Sequence, residues 1–82
     1  MNKNTVFSVW SDISSAKNAI DWQIKFLHED VAQLKELWLD DPTNSDLWRE
    51  YTGKNATIGE LEYASRTLES VYKILQDELK NA

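Results

Sequence analysis

Residues 19–38 read AIDWQIKFLHEDVAQLKELW, a stretch without glycine or proline in which apolar residues return every three or four positions. This spacing predicts an amphipathic α-helix, because residues three and four apart share one helical face. The apolar side chains fall on two stripes. The first holds Ile20, Ile24, Leu27, Val31, Leu34 and Trp38. The second, roughly 120° away around the helix, holds Ala19, Trp22, Phe26, Gln33 and Leu37.

The first stripe continues towards the N-terminus as a seven-residue repeat. Its alternating 3-4 spacing is that of a coiled-coil seam, with Lys17 as the one polar member. The ten positions are Val6, Trp10, Ile13, Lys17, Ile20, Ile24, Leu27, Val31, Leu34 and Trp38. We expect a helix over about residues 5–39. Its start is open, between Asn4 and Ser11, because TVFSVW is rich in β-formers and the following serines are poor helix formers.

The helix-ending and helix-capping residues after position 40 predict two further helices. Pro42 ends the first helix, and the residues after it can cap a short connecting helix over about residues 44–52. Gly53 is a natural C-terminal stop. Thr57 and Glu60 fit a capping box that opens a last helix over about residues 58–80. The expected fold is all-α: an antiparallel helical hairpin of two long amphipathic helices with a coiled-coil-like seam and a short connecting helix, three helices in one domain (1–82).

The predicted helix lengths do not match. With the last helix packed antiparallel from the turn, Lys80 comes level with about residue 16. Four apolar residues near the N-terminus then have no partner within the chain: Val6, Phe7, Val9 and Trp10. We expect them to fold back or to meet another chain.

The second stripe also needs a cover, since a two-helix hairpin uses one stripe per helix. The connecting helix could cover the Leu37 end through Leu47, Trp48 and Tyr51. Trp22 and Phe26 lie too far from the turn for that, so a subunit or partner contact is expected there. Tryptophan is enriched at interface hot spots, and this chain has four.

Composition restricts the class of protein. The chain has no cysteine and one histidine, so disulfides and thiolate zinc sites are excluded. The net charge is −5, and residues 29–62 hold nine acids against three bases. Nucleic-acid binders show the opposite bias, so we expect no direct nucleic acid binding and no docking on an anionic membrane. The N-terminus is a poor signal peptide, and a cytoplasmic location is expected.

Catalytic and metal-binding patterns are missing from the sequence. No carboxylate lies three or four residues from His28 to orient it as a base. Residues 40–46, DDPTNSD, offer oxygen ligands but lack the glycine and the final glutamate of an EF-hand. We expect no enzyme activity, no cofactor and no bound metal.

The leading functional hypothesis is a non-catalytic protein–protein interaction module, a small adaptor, assembly factor or inhibitor, that self-associates, most simply as a homodimer. The alternatives are an acidic inhibitor that mimics nucleic acid and a structural coiled-coil spacer. The partner-binding candidates are Val6, Phe7, Trp10, Trp22, Phe26, Leu37 and Tyr63. The candidate acidic surface is Asp40, Asp41, Asp46 and Glu50.

Overall fold

Two helices of nearly equal length form an antiparallel hairpin. A computed structural model describes residues 2–81 and contains α1 (Lys3–Asp40) and α2 (Ser45–Asn81). The molecule is a rod with extents of 59 × 14 × 14 Å. The all-α hairpin is confirmed, whereas the expectation of three helices is wrong.

The first helix begins at Lys3, one residue before the predicted range. Asn2 is its N-cap, and its side chain accepts a hydrogen bond of 2.8 Å from the Thr5 backbone N–H. This bond satisfies one of the amides that a helix start leaves unpaired. Val6 packs into the hairpin one turn later, so tertiary packing outweighs the weak helix propensity of TVFSVW.

A four-residue turn joins the helices. The Asp41 N–H donates to the carbonyls of Leu37 and Trp38, which closes α1, and the Asn44 N–H donates to the Asp41 carbonyl at 3.1 Å. The Asn44 side chain then accepts from the Asp46 and Leu47 amides at 3.1 and 3.3 Å. Pro42 therefore ends α1 as predicted, and Asn44 caps the helix that follows.

Gly53 does not end a helix, which corrects the predicted boundaries at residues 52 and 58. α2 runs through Gly53 and Gly59, and neither glycine has a positive φ. Thr57 does not cap, since its hydroxyl donates to the Gly53 carbonyl inside the helix. A glycine inside a helix costs about 1 kcal/mol relative to alanine. Continuing the helix offsets this cost, because it keeps Leu47 and Tyr51 in register with Ile58 and the rest of the seam.

The seam between the helices holds all ten α1 positions that the sequence predicts, each buried or half-buried. On α2 it uses ten positions with the same 3-4 spacing, namely Leu47, Tyr51, Lys54, Ile58, Leu61, Ser65, Leu68, Tyr72, Leu75 and Leu79. Trp38 lies against Trp48 near the turn, with ring centroids 5.2 Å apart. Trp10 stacks on Tyr72 near the open end, at 5.3 Å.

The predicted N-terminal overhang does not exist, because α2 is long enough to reach the start of α1. Val6 is 5% exposed and lies beside Ile74 and Leu75, and Trp10 is half-buried on Tyr72. Both side chains pack within the chain rather than projecting from it.

Candidate protein-binding surface

A polar layer interrupts the seam at Lys17 and Ser65. The Lys17 ammonium donates to Asp21 at 2.7 Å and lies 3.6 Å from Glu69 across the seam. The Ser65 hydroxyl donates to the other Asp21 carboxylate oxygen at 2.6 Å. These bonds tie α1 to α2 at one level. A polar layer of this kind specifies the register of a coiled coil, because sliding the helices leaves its members unpaired.

The layer also sets two ionisation equilibria. The hydrogen bond from Lys17, helped by the bond from Ser65, holds the pKa of the Asp21 carboxyl below its ordinary value of 3.8. The same Lys17–Asp21 bond raises the pKa of the Lys17 ammonium above 10.5. Both groups are therefore charged throughout the physiological range, and each stabilises the charge of the other.

Cross-helix contacts define two flanks beside the seam. His28 lies 3.4 Å from Glu62 on the side that also carries the Asp21–Ser65 and Lys17–Glu69 contacts. Lys54 lies 3.3 Å from Asp30 on the opposite side. Because residues seven apart share a position around each helix, these contacts assign the remaining residues to a flank.

The flank that contains Asp30 is called here the acidic flank. Along residues 2–81 it carries seven carboxylates and no lysine or arginine. It comprises Val9, Asp12, Ala16, Ala19, Gln23, Phe26, Asp30, Gln33, Leu37 and Asp40 of α1, with Asp46, Glu50, Gly53, Thr57, Glu60, Ala64, Thr67, Val71, Ile74 and Glu78 of α2.

The opposite flank is called the basic flank. It carries five lysine or arginine residues and three carboxylates. It comprises Phe7, Ser11, Ser14, Asn18, Asp21, Lys25, His28, Ala32, Lys35 and Leu39 of α1, with Trp48, Thr52, Asn55, Gly59, Glu62, Arg66, Glu69, Lys73, Gln76 and Lys80 of α2.

The predicted second stripe stays uncovered within the chain. Trp22 and Phe26 stack on each other with centroids 5.8 Å apart, and they are 56% and 51% exposed. The Lys25 ammonium lies 4.9 Å from the Trp22 ring centroid, a cation–π contact. Leu37 is also exposed; it lies on the acidic flank, whereas Trp48 lies on the basic flank and packs on Trp38. The connecting segment therefore does not cover the stripe.

The predicted site residues divide into two groups. Val6 and Trp10 belong to the intrachain seam and are not part of the candidate surface. The other five are exposed, although the structure spreads them over several faces: Phe7, Trp22, Phe26, Leu37 and Tyr63. The predicted acidic surface is exposed around the turn, at Asp40, Asp41, Asp46 and Glu50.

Several exposed apolar side chains were not among the predicted site residues. They are Val9, Leu39, Trp48, Val71 and Ile74. The heptad phase of α2 contains the signal that would have found Trp48, Val71 and Ile74, because they fall one position from the seam. The predicted break at Gly53 separated Trp48 from that pattern, whereas Val71 and Ile74 lie within the predicted last helix (58–80).

Two open clefts accompany these side chains. One, of about 210 Å³, lies against Trp22 and Lys25 on α1. The other, of about 300 Å³, lies between the helices near the open end and is lined by Val6, Ile74, Leu75 and Glu78. The second cleft opens onto the acidic flank, where Ile74 and Glu78 lie.

His28 is the one imidazole of the sequence. His28 does have a carboxylate neighbour, Glu62, which the sequence neighbours of His28 did not reveal because it lies on the other helix. Both side chains are solvent-exposed. Residues 2–81 contain no cluster of potential ligands that could hold a metal ion. Across the same residues, neither helix has a segment that is both long and apolar enough to span a bilayer.

The fold and surface define an all-α, two-helix hairpin with uncovered apolar side chains. The chain matches no protein-family model, no curated protein and no solved structure.

Proposed function

We propose that this chain is a non-catalytic protein-binding module that acts through its exposed apolar and aromatic side chains and that also self-associates. The observation that carries the proposal is the imbalance between core and surface. Within residues 2–81, three apolar side chains are buried, namely Val6, Leu34 and Ile58, whereas ten large apolar side chains are exposed.

The surface area supports the same proposal. The chain exposes 6023 Å², whereas a compact monomer of 9.5 kDa exposes about 5,000 Å². The difference, on the order of 1,000 Å², is comparable to one partner's share of a standard protein–protein interface. Large uncovered apolar patches on small proteins typically mark interaction sites.

Trp22 and Phe26 provide the test of a binding role. Because both are more than half exposed, changing both to alanine should leave helicity and the unfolding temperature nearly unchanged. The same change should weaken association by upwards of about 2 kcal/mol if the pair is a hot spot. Circular dichroism measures the first effect. Sedimentation equilibrium and affinity purification from the native host, with mass spectrometry of co-eluting proteins, measure the second.

A matched pair in the seam controls for loss of fold. Leu27→Ala and Leu68→Ala remove side chains that pack the hairpin, so they should lower the unfolding temperature strongly. A Trp22/Phe26 variant that unfolds as readily as these, while its folded fraction binds normally, would contradict the proposal. A clean 9.5 kDa monomer would remove the self-association part.

An acidic mimic of nucleic acid is the second candidate, and the acidic flank is the observation that favours it. Its seven carboxylates occur without a lysine or arginine among them. Binding by such a mimic should weaken steeply with ionic strength, whereas apolar docking should not. A structural spacer, the third candidate, would use the continuous seam and leave the exposed aromatic residues without a role.

A further inference from the structure

We infer that the acidic flank binds a basic amphipathic helix of another protein, in a groove between α1 and α2 that runs from the open end to the level of Phe26. This inference rests on the proposed protein-binding function and specifies the chemistry of the partner. The argument combines the shape of the groove, its apolar lining and its charge.

The groove has a shallow floor with apolar borders. Ala16 and Ala64 flank the seam here and have the smallest side chains that can still bury apolar area. Val9 and Val71 lie beside them, each just over one third exposed. Phe26 borders the groove on α1 and Ile74, 62% exposed, borders it on α2. Small residues at the floor allow a third helix to approach both helices at once.

One end of the groove is a cleft that a side chain can enter. This cleft, of about 300 Å³, lies between Val6, Ile74, Leu75 and Glu78. Its walls are apolar apart from the Glu78 carboxylate. A leucine or isoleucine from a docked helix fits such a space, and a lysine or arginine next to it would meet Glu78.

The charges along the groove have one sign. Asp12, Glu60 and Glu78 border it, and within residues 2–81 none of them contacts a lysine or arginine. On the opposite flank, by contrast, Asp21 and Glu69 each lie within 4 Å of a lysine ammonium, and Glu62 lies 3.4 Å from His28. A helix with an apolar stripe bordered by lysine or arginine complements this pattern, since apolar contacts supply affinity and charges supply orientation.

A second copy of the chain is a poorer occupant. Two-fold pairing of the acidic flank on itself would place its seven carboxylates against seven others. Like charges across an interface oppose association. Pairing the acidic flank of one copy with the basic flank of another is head-to-tail and does not close into a dimer. Self-association is therefore assigned to the outward faces, where Trp22 and Tyr63 lie.

The length of the groove sets the length of the partner segment. From Val9 to Phe26 the α1 side extends about 25 Å at 1.5 Å per residue, which matches a helix of about 17 residues. Over that length the partner helix presents about five apolar anchors at spacings of three and four.

Two synthetic peptides test the inference directly. Both carry leucines at helical 3-4 spacing over about 18 residues; one has lysines beside the stripe and the other has glutamates in the same places. Fluorescence anisotropy of the labelled peptides with the full chain measures their affinity at about 50 mM salt. The lysine peptide should bind at least about tenfold more tightly than the glutamate peptide.

Variants then locate the binding site. Ile74→Ala should weaken the lysine peptide about tenfold, a loss typical of truncating an apolar anchor. Replacing both Glu60 and Glu78 with lysine should weaken it further and should restore binding of the glutamate peptide. The matched control replaces Glu29 and Glu36, on the outward face of α1, with lysine. This control makes the same change in net charge and should have little effect.

The outcomes separate this inference from the function on which it rests. If changing Glu29 and Glu36 to lysine weakened binding of the lysine peptide equally, the peptide would be attracted by the overall negative charge. That result would contradict binding in the groove. If both peptides bound equally and Ile74→Ala still weakened them, the inference of a basic partner would be wrong. The proposed protein-binding function would stand. Loss of self-association on Ile74→Ala would show that a second copy occupies the groove, which would overturn the assignment to another protein. Binding of neither peptide would overturn the inference, while the Trp22/Phe26 test would still decide the proposed function.

Discussion

The two flanks of the hairpin carry similar numbers of charged residues but use them differently. On the basic flank, Asp21, Glu62 and Glu69 each contact a basic side chain of the same chain. On the acidic flank, Asp30 does so through Lys54, and residues 2–81 provide no basic contact for the other six carboxylates. Contacts on the basic flank therefore join the helices at several levels, whereas on the acidic flank Lys54–Asp30 is the one ion pair between the helices within residues 2–81, and the remaining carboxylates face solvent.

The largest expected effect compares two isoleucines of α2. Ile58 in the seam is 5% exposed, whereas Ile74 on the acidic flank is 62% exposed. Ile58→Ala should lower the free energy of unfolding by about 2–5 kcal/mol because it leaves a cavity in a core of few residues. Ile74→Ala should change it by less than about 0.5 kcal/mol. Thermal unfolding followed by circular dichroism measures both; equal losses would mean that the acidic flank is part of the core.

A smaller effect is expected at the two glycines of α2. An alanine Cβ at Gly53 or Gly59 would meet no atom within 4 Å, and neither residue has a positive φ. Gly53→Ala and Gly59→Ala should each raise the free energy of unfolding by about 0.5–1 kcal/mol. Gly53 lies on the acidic flank and Gly59 on the basic flank. Because a Cβ would meet no atom at either position, equal gains are expected in the isolated chain. Urea unfolding measures both changes. If Gly53→Ala lowered the free energy of unfolding instead, the helix would break at Gly53.

The smallest effect compares two aspartates of α1 across pH. Asp21→Asn removes the carboxylate charge and one of the two oxygens that accept from Lys17 and Ser65, and it should lower the Tm by about 2–4 °C near neutral pH. Because the pKa of folded Asp21 is depressed, its contribution is present above the ordinary value of 3.8 and is lost as the pH falls through the lower folded value. The difference in Tm between the unchanged chain and the Asp21→Asn variant should therefore disappear as the pH falls through the folded pKa of Asp21.

Asp12→Asn on the acidic flank is the control for that comparison. Asp12 has no basic contact within residues 2–81, so the change should leave the Tm unchanged or raise it slightly by reducing repulsion among the acids. Thermal scans at several pH values cover both variants. A fall in Tm as large as that of Asp21→Asn would contradict the distinction between the flanks.

The seam was largely predictable from the sequence, because burial of one face imposes a seven-residue period. All ten α1 positions named from the repeat lie between the helices. The prediction was wrong at Gly53, because the low helix propensity of glycine was read as a helix end although the heptad pattern continues through it. Leu47, Tyr51 and Lys54 continue the same heptad as Ile58 and Leu61, and packing of that continuous stripe outweighs the cost of two glycines.

The candidate surface was predicted less completely. Trp22, Phe26, Leu37 and Tyr63 are exposed because they are out of phase with the seam, which the period alone shows. Val6 and Trp10 were assigned to a partner because the predicted α2 was too short to reach them. The pairing of His28 with Glu62 and of Asp21 with Ser65 depends on the register between the helices, which the seven-residue period alone does not reveal.

The antiparallel arrangement also determines the order in which the hairpin closes during folding. Trp38 and Trp48 meet after a loop of ten residues, whereas Trp10 and Tyr72 are separated by more than sixty. Closing the longer loop first costs roughly 1.5 kcal/mol more chain entropy, so we expect the helices to zip from the turn towards the open end. The open end is then the last part to close and the first to fray. The groove bounded by Val9, Val71 and Ile74 lies in that half, so a bound helix would also slow the unzipping of the molecule that holds it.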